Sequence, residues 1–192
     1  MPTKTAARPS VRERLLRAAD ELFYEEGVHV VGIDRVIERA GVSKASLYTN
    51  FGSKDELVRA YLDARHTDWR ERVRTELARW DAPRERVLSI FDVLGASFTD
   101  PTFHGCAFAN ASAEARPGSP VVEAADAARA WKRALFEELV GATGARDPET
   151  LAQQLVQLYD GAQLGARMDR DPGTAAVARA AAAVLLDAAT AA

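Results

Sequence analysis

The chain has 192 residues, 47% of them hydrophobic and 28% charged, with a formal net charge of −3; this is ordinary globular composition, enough for one sizeable core or a small domain beside a larger one. The single cysteine, Cys106, rules out an intramolecular disulfide, and His29, His66 and His104 lie too far apart for metal-ligand spacing, so no cofactor or metal is expected. No run of about 18 apolar residues marks a membrane span, and no apolar signal core follows the basic Met1–Pro9 stretch, so a cytoplasmic setting is expected. Charge is unevenly spread. Residues 1–54 hold nine Lys/Arg against seven Asp/Glu, the remainder 16 against 21, which permits an N-terminus that faces an anionic partner.

Helix boundaries are legible in order along the chain. Ser10-Val11-Arg12-Glu13 is a capping box, and Val11, Leu15, Ala18, Ala19, Leu22 and Phe23 follow a helical stripe that Gly27 stops. Ile33, Val36, Ile37 and Ala40 repeat at helical spacing up to Gly41. Ser43 caps a third segment whose inward residues are Leu47 and Phe51, ended by Gly52. Ser53-Lys54-Asp55-Glu56 is a second capping box and opens a long helix predicted over 54–80, with Leu57, Val58, Tyr61, Leu62, Trp69, Val73, Leu77 and Trp80 apolar. Pro83 opens a fifth helix carrying Val87, Leu88, Phe91, Leu94 and Phe98, closed by Asp100-Pro101. A short helix is predicted from about Gly105 to Ala115. The turn Pro117-Gly118-Ser119-Pro120 precedes another that runs to about Val140. Asp147-Pro148 and Asp171-Pro172 each place a capping residue before a proline whose missing N–H costs nothing at the first helical position. The alanine-rich end, from Ala175, has Val177, Val184 and Leu185 as its apolar face. This is an all-α fold of about nine helices.

The chemistry is concentrated between Gly32 and Phe51. Two short helices joined by Ala40-Gly41-Val42-Ser43 match a helix-turn-helix, with glycine where the turn needs positive φ. With Val42, Leu47 and Phe51 turned inward, Lys44, Ala45, Ser46, Tyr48, Thr49 and Asn50 fall on outward or flanking positions. That polar, narrow face suits a major groove. Asparagine can pair with adenine, lysine with guanine, and the alanine methyl can meet a thymine methyl. Tyr48 and Lys54 are placed for phosphates, joined by backbone N–H groups at the start of the fourth helix. The alternative reading of the same residues is a plain trihelical bundle with serine caps and a solvated lysine.

Residues 40–57, Ala-Gly-Val-Ser-Lys-Ala-Ser-Leu-Tyr-Thr-Asn-Phe-Gly-Ser-Lys-Asp-Glu-Leu, closely resemble the DNA-binding signature of the tetracycline-repressor (TetR) family, and the similarity extends over about residues 10–65. The resemblance implies that Ser43, Lys44, Ala45, Ser46, Tyr48, Thr49, Asn50 and Lys54 contact DNA. Three departures bear on operator sequence. Gly32-Ile33 stands where the family often has Thr-Thr, Asn50 where it usually has histidine, and Thr49 where a larger residue is common. The implied organisation is a flexible arm over 1–9, a helix-turn-helix domain over 10–69 with its motif at 32–51, and a C-terminal ligand-sensing and dimerisation domain over 70–192.

The C-terminal half is less specific. The stretch Phe103–Glu114 is similar to a Gly-Cys-x-Phe-x-Asn segment of one subset of such regulators. Phe98, Phe108, Asn110, Trp131, Tyr159 and Gln163 are expected around an apolar effector cavity, the alternative being ordinary core packing with satisfied polar groups. Cys106 reads as a small buried hydrophobe rather than a redox sensor. A dimer interface is expected on the last two helices at Leu155, Leu158, Gly161, Ala162, Gly165, Val184 and Leu185, which implies a palindromic operator in double-stranded DNA. The whole reads as a ligand-responsive regulator, of the repressor kind, that binds DNA as a homodimer. The alternative is a dimeric all-helical binding protein or enzyme without DNA affinity. The enzyme version lacks an inventory: no nucleophile–base pair or phosphate loop occurs, and Cys106 and His104 are two residues apart, so on a helix they would not face each other.

Overall fold

Side-chain oxygens start five of the helices. Ser10, Ser43, Ser53, Ser119 and Asp147 each accept a hydrogen bond from a backbone N–H three residues on, removing one of the unpaired donors that every helix start leaves. The computed structural model describes residues 9–113 and 115–191. Residues 1–8 of the expected arm, and Glu114, lie outside the described residues. Nine helices are found among the described residues: α1 (Val11–Glu26), α2 (Ile33–Ala40), α3 (Lys44–Phe51), α4 (Lys54–Leu77), α5 (Pro83–Phe98), α6 (Ala107–Ser112), α7 (Pro120–Gly141), α8 (Pro148–Asp169) and α9 (Thr174–Thr190). None is long and apolar enough to cross a membrane.

Two apolar cores share α4. Leu15, Ala18, Ala19, Leu22 and Phe23 of α1 meet Val36, Leu47, Phe51, Leu57, Val58, Tyr61 and Leu62, and this core continues into α6 and the start of α7 through Ala107, Ala111, Val121 and Ala124. Val73 and Leu77, further along α4, belong to a second core built on α5, α7, α8 and α9. α5 is its central element. Val87, Leu88, Ile90, Phe91 and Leu94 are all essentially inaccessible, because α5 packs on α4, α7, α8 and α9 together.

Four local expectations need correction. At Ser53 only half of the capping box forms: the hydroxyl accepts from Glu56 N at 3.1 Å, while the Glu56 carboxylate turns toward Arg59. α4 ends at Leu77, so Trp80 lies beyond it, its indole N–H donating to Glu76 at 2.9 Å. α6 is shorter at both ends than expected, and Cys106 precedes it without a side-chain cap. Pro172 does not open α9. The Asp171 carboxylate accepts from Gly173 N at 2.8 Å, an Asx turn that delays the helix to Thr174.

Candidate nucleic-acid interface

The helix-turn-helix is held from behind by α1. At the turn, Gly41 adopts φ +62°, Val42 N bonds Ile37 O at 3.2 Å, and the Arg14 guanidinium of α1 donates to both Ala40 O and Gly41 O at 3.0 Å. The unpaired carbonyls at the end of α2 are thus satisfied by a cation, which also suits the negative end of the helix dipole. Leu47 is fully buried and Phe51 nearly so, with the Arg12 guanidinium 4.7 Å from the Phe51 ring centroid. α3 is therefore fixed in rotation, and its other face points outward.

On that face Ser43, Lys44, Ala45, Tyr48 and Thr49 are exposed, while Ser46, Asn50 and Lys54 are half-buried. Not all of their polar groups are free. Ser43 Oγ caps the helix by accepting from Ser46 N at 3.2 Å and pairs with Ser46 Oγ at 2.9 Å. Asn50 Nδ2 donates to Ser46 O at 2.8 Å, one turn back, so adenine-type bidentate pairing requires a rotamer change. Lys44 Nζ lies 3.1 Å from Asp34 Oδ1 on α2. Partial burial lowers the Lys54 pKa from its ordinary value, and a phosphate beside it would reverse that. Arg14, Arg12 and Asp34 escaped the sequence reading. All three act through the fold across long sequence intervals, which periodicity does not register.

In the C-terminal half, Phe108, Trp131 and Tyr159 converge with His66 and Trp69 in one aromatic cluster. Phe98 instead pairs with Phe103 at 4.8 Å. Asn110 does not join them: two residues from Phe108 on α6, it is exposed, donates to His104 O at 3.0 Å, and borders a shallow cleft with Tyr24 and Arg167. Gln163 is half-buried one turn beyond Tyr159. Of the expected interface residues, Leu155 and Ala162 are enclosed in the chain's own core, at 0% and 6% exposure, and so give nothing to an outer surface. Leu158, Gly165 and Leu185 are half-buried, and Gly161 and Val184 are exposed. The outward apolar side chains of α8 and α9 are Leu164, Met168, Val177 and Val184, each at least 60% exposed.

Residues 15–61 match the family model of bacterial regulatory proteins of the tetR family, and residues 83–182 match that of the tetracyclin repressor-like C-terminal domain. The structure of SCO4454, a TetR-family transcriptional regulator from Streptomyces coelicolor, superposes with a TM-score of 0.88 at 34% identity, over 94% of this chain and 96% of that one. The chain belongs to the TetR family. As a TetR-family protein it is a helix-turn-helix transcriptional regulator. Reduced NemR from Escherichia coli shares the fold at a TM-score of 0.78 and 26% identity, over 90% of this chain and 94% of that one. Among curated relatives, the transcriptional activator FasR of Mycolicibacterium smegmatis is 40% identical over 92 residues, 45% of this chain and 42% of that protein. The regulator TtgR of Pseudomonas putida is 38% identical over 64 residues, 33% of this chain and 30% of that protein. These alignments thus span less than half of each curated relative.

Proposed function

We propose that this TetR-family chain is a cytoplasmic, ligand-responsive repressor. It binds a palindromic operator as a homodimer through Ser43, Lys44, Ala45, Ser46, Tyr48, Thr49, Asn50 and Lys54, and a small-molecule effector releases it. The observation that carries the DNA reading is the split of α3 into a buried edge, Leu47 and Phe51, and an open polar one, Lys44, Ala45, Tyr48 and Thr49. The domain division falls within α4, near residue 69, where the helix leaves one core for the other. For the dimer, the support is the outward stripe of Leu164, Met168, Val177 and Val184 on two helices packed side by side. Apolar surface of this kind marks an association site, and a two-fold axis there would present two copies of α3 to one duplex. Repression is the reading for the sign of control, although FasR is named an activator. Moving such a dimer from almost wholly bound to almost wholly released needs about 5.5 kcal/mol of differential effector affinity, which two subunits can share.

The test selects bound sequences from random duplex DNA with the full chain. A two-fold symmetric consensus is expected, and on that duplex Lys44→Ala or Tyr48→Ala should weaken binding tenfold or more, a loss of about 1–3 kcal/mol per contact. Each variant should sediment as the same dimer as the parent. Undiminished affinity in both variants would remove α3 from the interface.

A further inference from the structure

The lysines and arginines between residues 9 and 65 differ in what holds them. Arg35, Arg39, Lys44, Arg59 and Arg65 each form an ion pair with a carboxylate. Arg14 is spent on the carbonyls of Ala40 and Gly41. Among the described residues of this stretch, the side chains of Arg12, Arg17 and Lys54 enter no ion pair or hydrogen bond. Arg17 acts on Glu13, one turn back on α1. Arg12 and Lys54 instead both border the carboxyl end of α3. The Arg12 guanidinium lies 4.7 Å from the centroid of the nearly buried Phe51 ring, and Arg12 itself is exposed. Its chain neighbour Glu13 gives it no counter-charge at close range, being turned back onto Ser10 N at 2.7 Å. Lys54 follows Phe51 across Gly52 and Ser53 and is half-buried, with Asp55 the acid that acts on it. Tyr48, exposed, stands one turn before Phe51, and its carbonyl accepts from Gly52 N. Covering a phenylalanine ring needs no charge; an aliphatic side chain would serve.

We propose that Arg12 of α1 is a further DNA contact, and that it grips a backbone phosphate beside the one met by Tyr48 and Lys54. The proposal rests on the DNA-binding reading above and adds α1 to the interface. α3 has eight residues, about 12 Å at 1.5 Å per residue, and the major groove is about 12 Å wide. A recognition helix that sets its amino end, Lys44 and Ala45, against base edges therefore brings its other end, Phe51, to the wall of phosphates. Arg12 is the arginine stationed at that end. A guanidinium stacked on a ring spends a face there and keeps its N–H edges open, which is how arginine takes a phosphate through two parallel hydrogen bonds. The ring holds the plane in place, so less freedom is lost when the phosphate arrives. No carboxylate has to be displaced first, in contrast to Lys44, which Asp34 holds. A contact of this kind fixes the register of α3 on the duplex and carries no base information. Arg12 thus contributes to every duplex equally, and the choice of operator stays with α3.

The experiment follows the affinity of the full-length chain for a labelled random-sequence duplex, and for the operator selected from such duplexes, over a series of salt concentrations. Arg12→Met keeps an aliphatic stem on Phe51 and removes the charge. It should weaken binding several-fold at low salt, by the same factor on both duplexes, and reduce the slope of log affinity against log salt by about 0.9, the share of one phosphate. Arg12→Lys should restore the slope. Arg17→Met removes an equal charge one turn away, beside Glu13, and should leave the slope as it is. If Arg12→Met does not fold, Arg12→Gln carries the same comparison. A slope unaltered by the loss of Arg12 overturns the contact and leaves this side chain as a cover for Phe51. A slope reduced as much by Arg17→Met also overturns it, because net charge alone would then be acting. The parent chain separates the two readings. Without salt-dependent affinity for either duplex, the DNA reading and the contact fall together; a parent that binds, with an unaltered slope in the variant, removes the contact alone.

Discussion

Lys44 is the sole cation of α3, and without DNA it is held by an acid. Its partner Asp34 has a side chain 81% exposed, against 57% for Lys44, so the pair is solvated and worth at most about 1 kcal/mol. Breaking it is cheap. Its consequence comes afterwards: if Lys44 meets DNA as proposed, a carboxylate 3.1 Å from its ammonium would stand beside the phosphates and repel them. On that reading Asp34 lowers affinity for every duplex and leaves discrimination to the base-facing atoms. Asp34→Asn should tighten DNA binding several-fold at low salt, to operator and random duplex alike, and steepen its salt dependence; anisotropy titrations at three salt concentrations decide this, and equal low-salt affinities would dismiss it. His66 supports a prediction of a different kind. Its folded pKa lies below the ordinary 6.5, chiefly through burial and then through Arg70. The unfolded chain thus takes up the proton first, and stability that is complete above about pH 6.5 declines as the pH falls below it. The melting temperature should drop between pH 7.5 and 5.5, and His66→Phe should flatten that part of the curve.

At the level of elements, what the sequence revealed was local. Caps at Ser10, Ser43, Ser53 and Asp147 act over three residues and could be read directly, whereas Ser119, read only as part of a turn, caps α7 in the same way. Glycine stops at Gly27, Gly41 and Gly52, all at positive φ, were equally plain. The recognition helix was legible for the same reason, since its buried and open edges follow from spacing within eight residues. On α9 the sequence shows an apolar face at Val177, Val184 and Leu185, but not the small-residue face on which the helix packs. The inward face is Ala175, Ala178 and Ala182 with Leu186, while Val177 and Val184 are 71% and 69% exposed. The cause is close approach: a Cβ on Gly95 of α5 would lie 3.1 Å from Ala175 Cβ, a gap that only small residues allow. Leu155 and Ala162 were misplaced by the converse fault, because a stripe shows that a face is apolar but not whose surface covers it. Gly95→Leu should force α5 and α9 apart and destabilise the chain by about 1–3 kcal/mol or more, as overpacking does. Urea unfolding measures this; an unchanged midpoint would mean that the two helices can separate freely.

Across the whole molecule, α1 is tied to the connection between α5 and α6 by a cluster that no spacing rule could have suggested, since its hydrogen-bonded partners lie 45 to 81 residues apart. The Tyr24 hydroxyl at the end of α1 donates to Gly105 O at 3.0 Å and accepts from His104 N at 3.1 Å. Arg65 of α4 lies 3.6 Å over the Tyr24 ring and grips both carboxylate oxygens of Asp20 on α1. One tyrosine therefore joins the helix that braces the turn before α3 to the connection leading into α6, which bears Phe108. A change that moved α6 would pull on α1 through this bond pair as well as through α4. Tyr24→Phe keeps the ring and its contact with Arg65 but removes both hydrogen bonds, leaving a backbone N–H and a carbonyl at 104–105 without their partner. Such a loss costs about 1–3 kcal/mol locally, equivalent to a tenfold or greater rise in local opening. Amide exchange in the 99–113 segment should accelerate by at least that factor in the variant, while α9, which packs on α5 and α8, keeps its protection. Equal acceleration everywhere would mean that the tyrosine supports global stability, and no acceleration would mean that the connection is held by α6 packing alone; only the confined response fits a link between the α6 connection and the helices that carry the DNA-reading face.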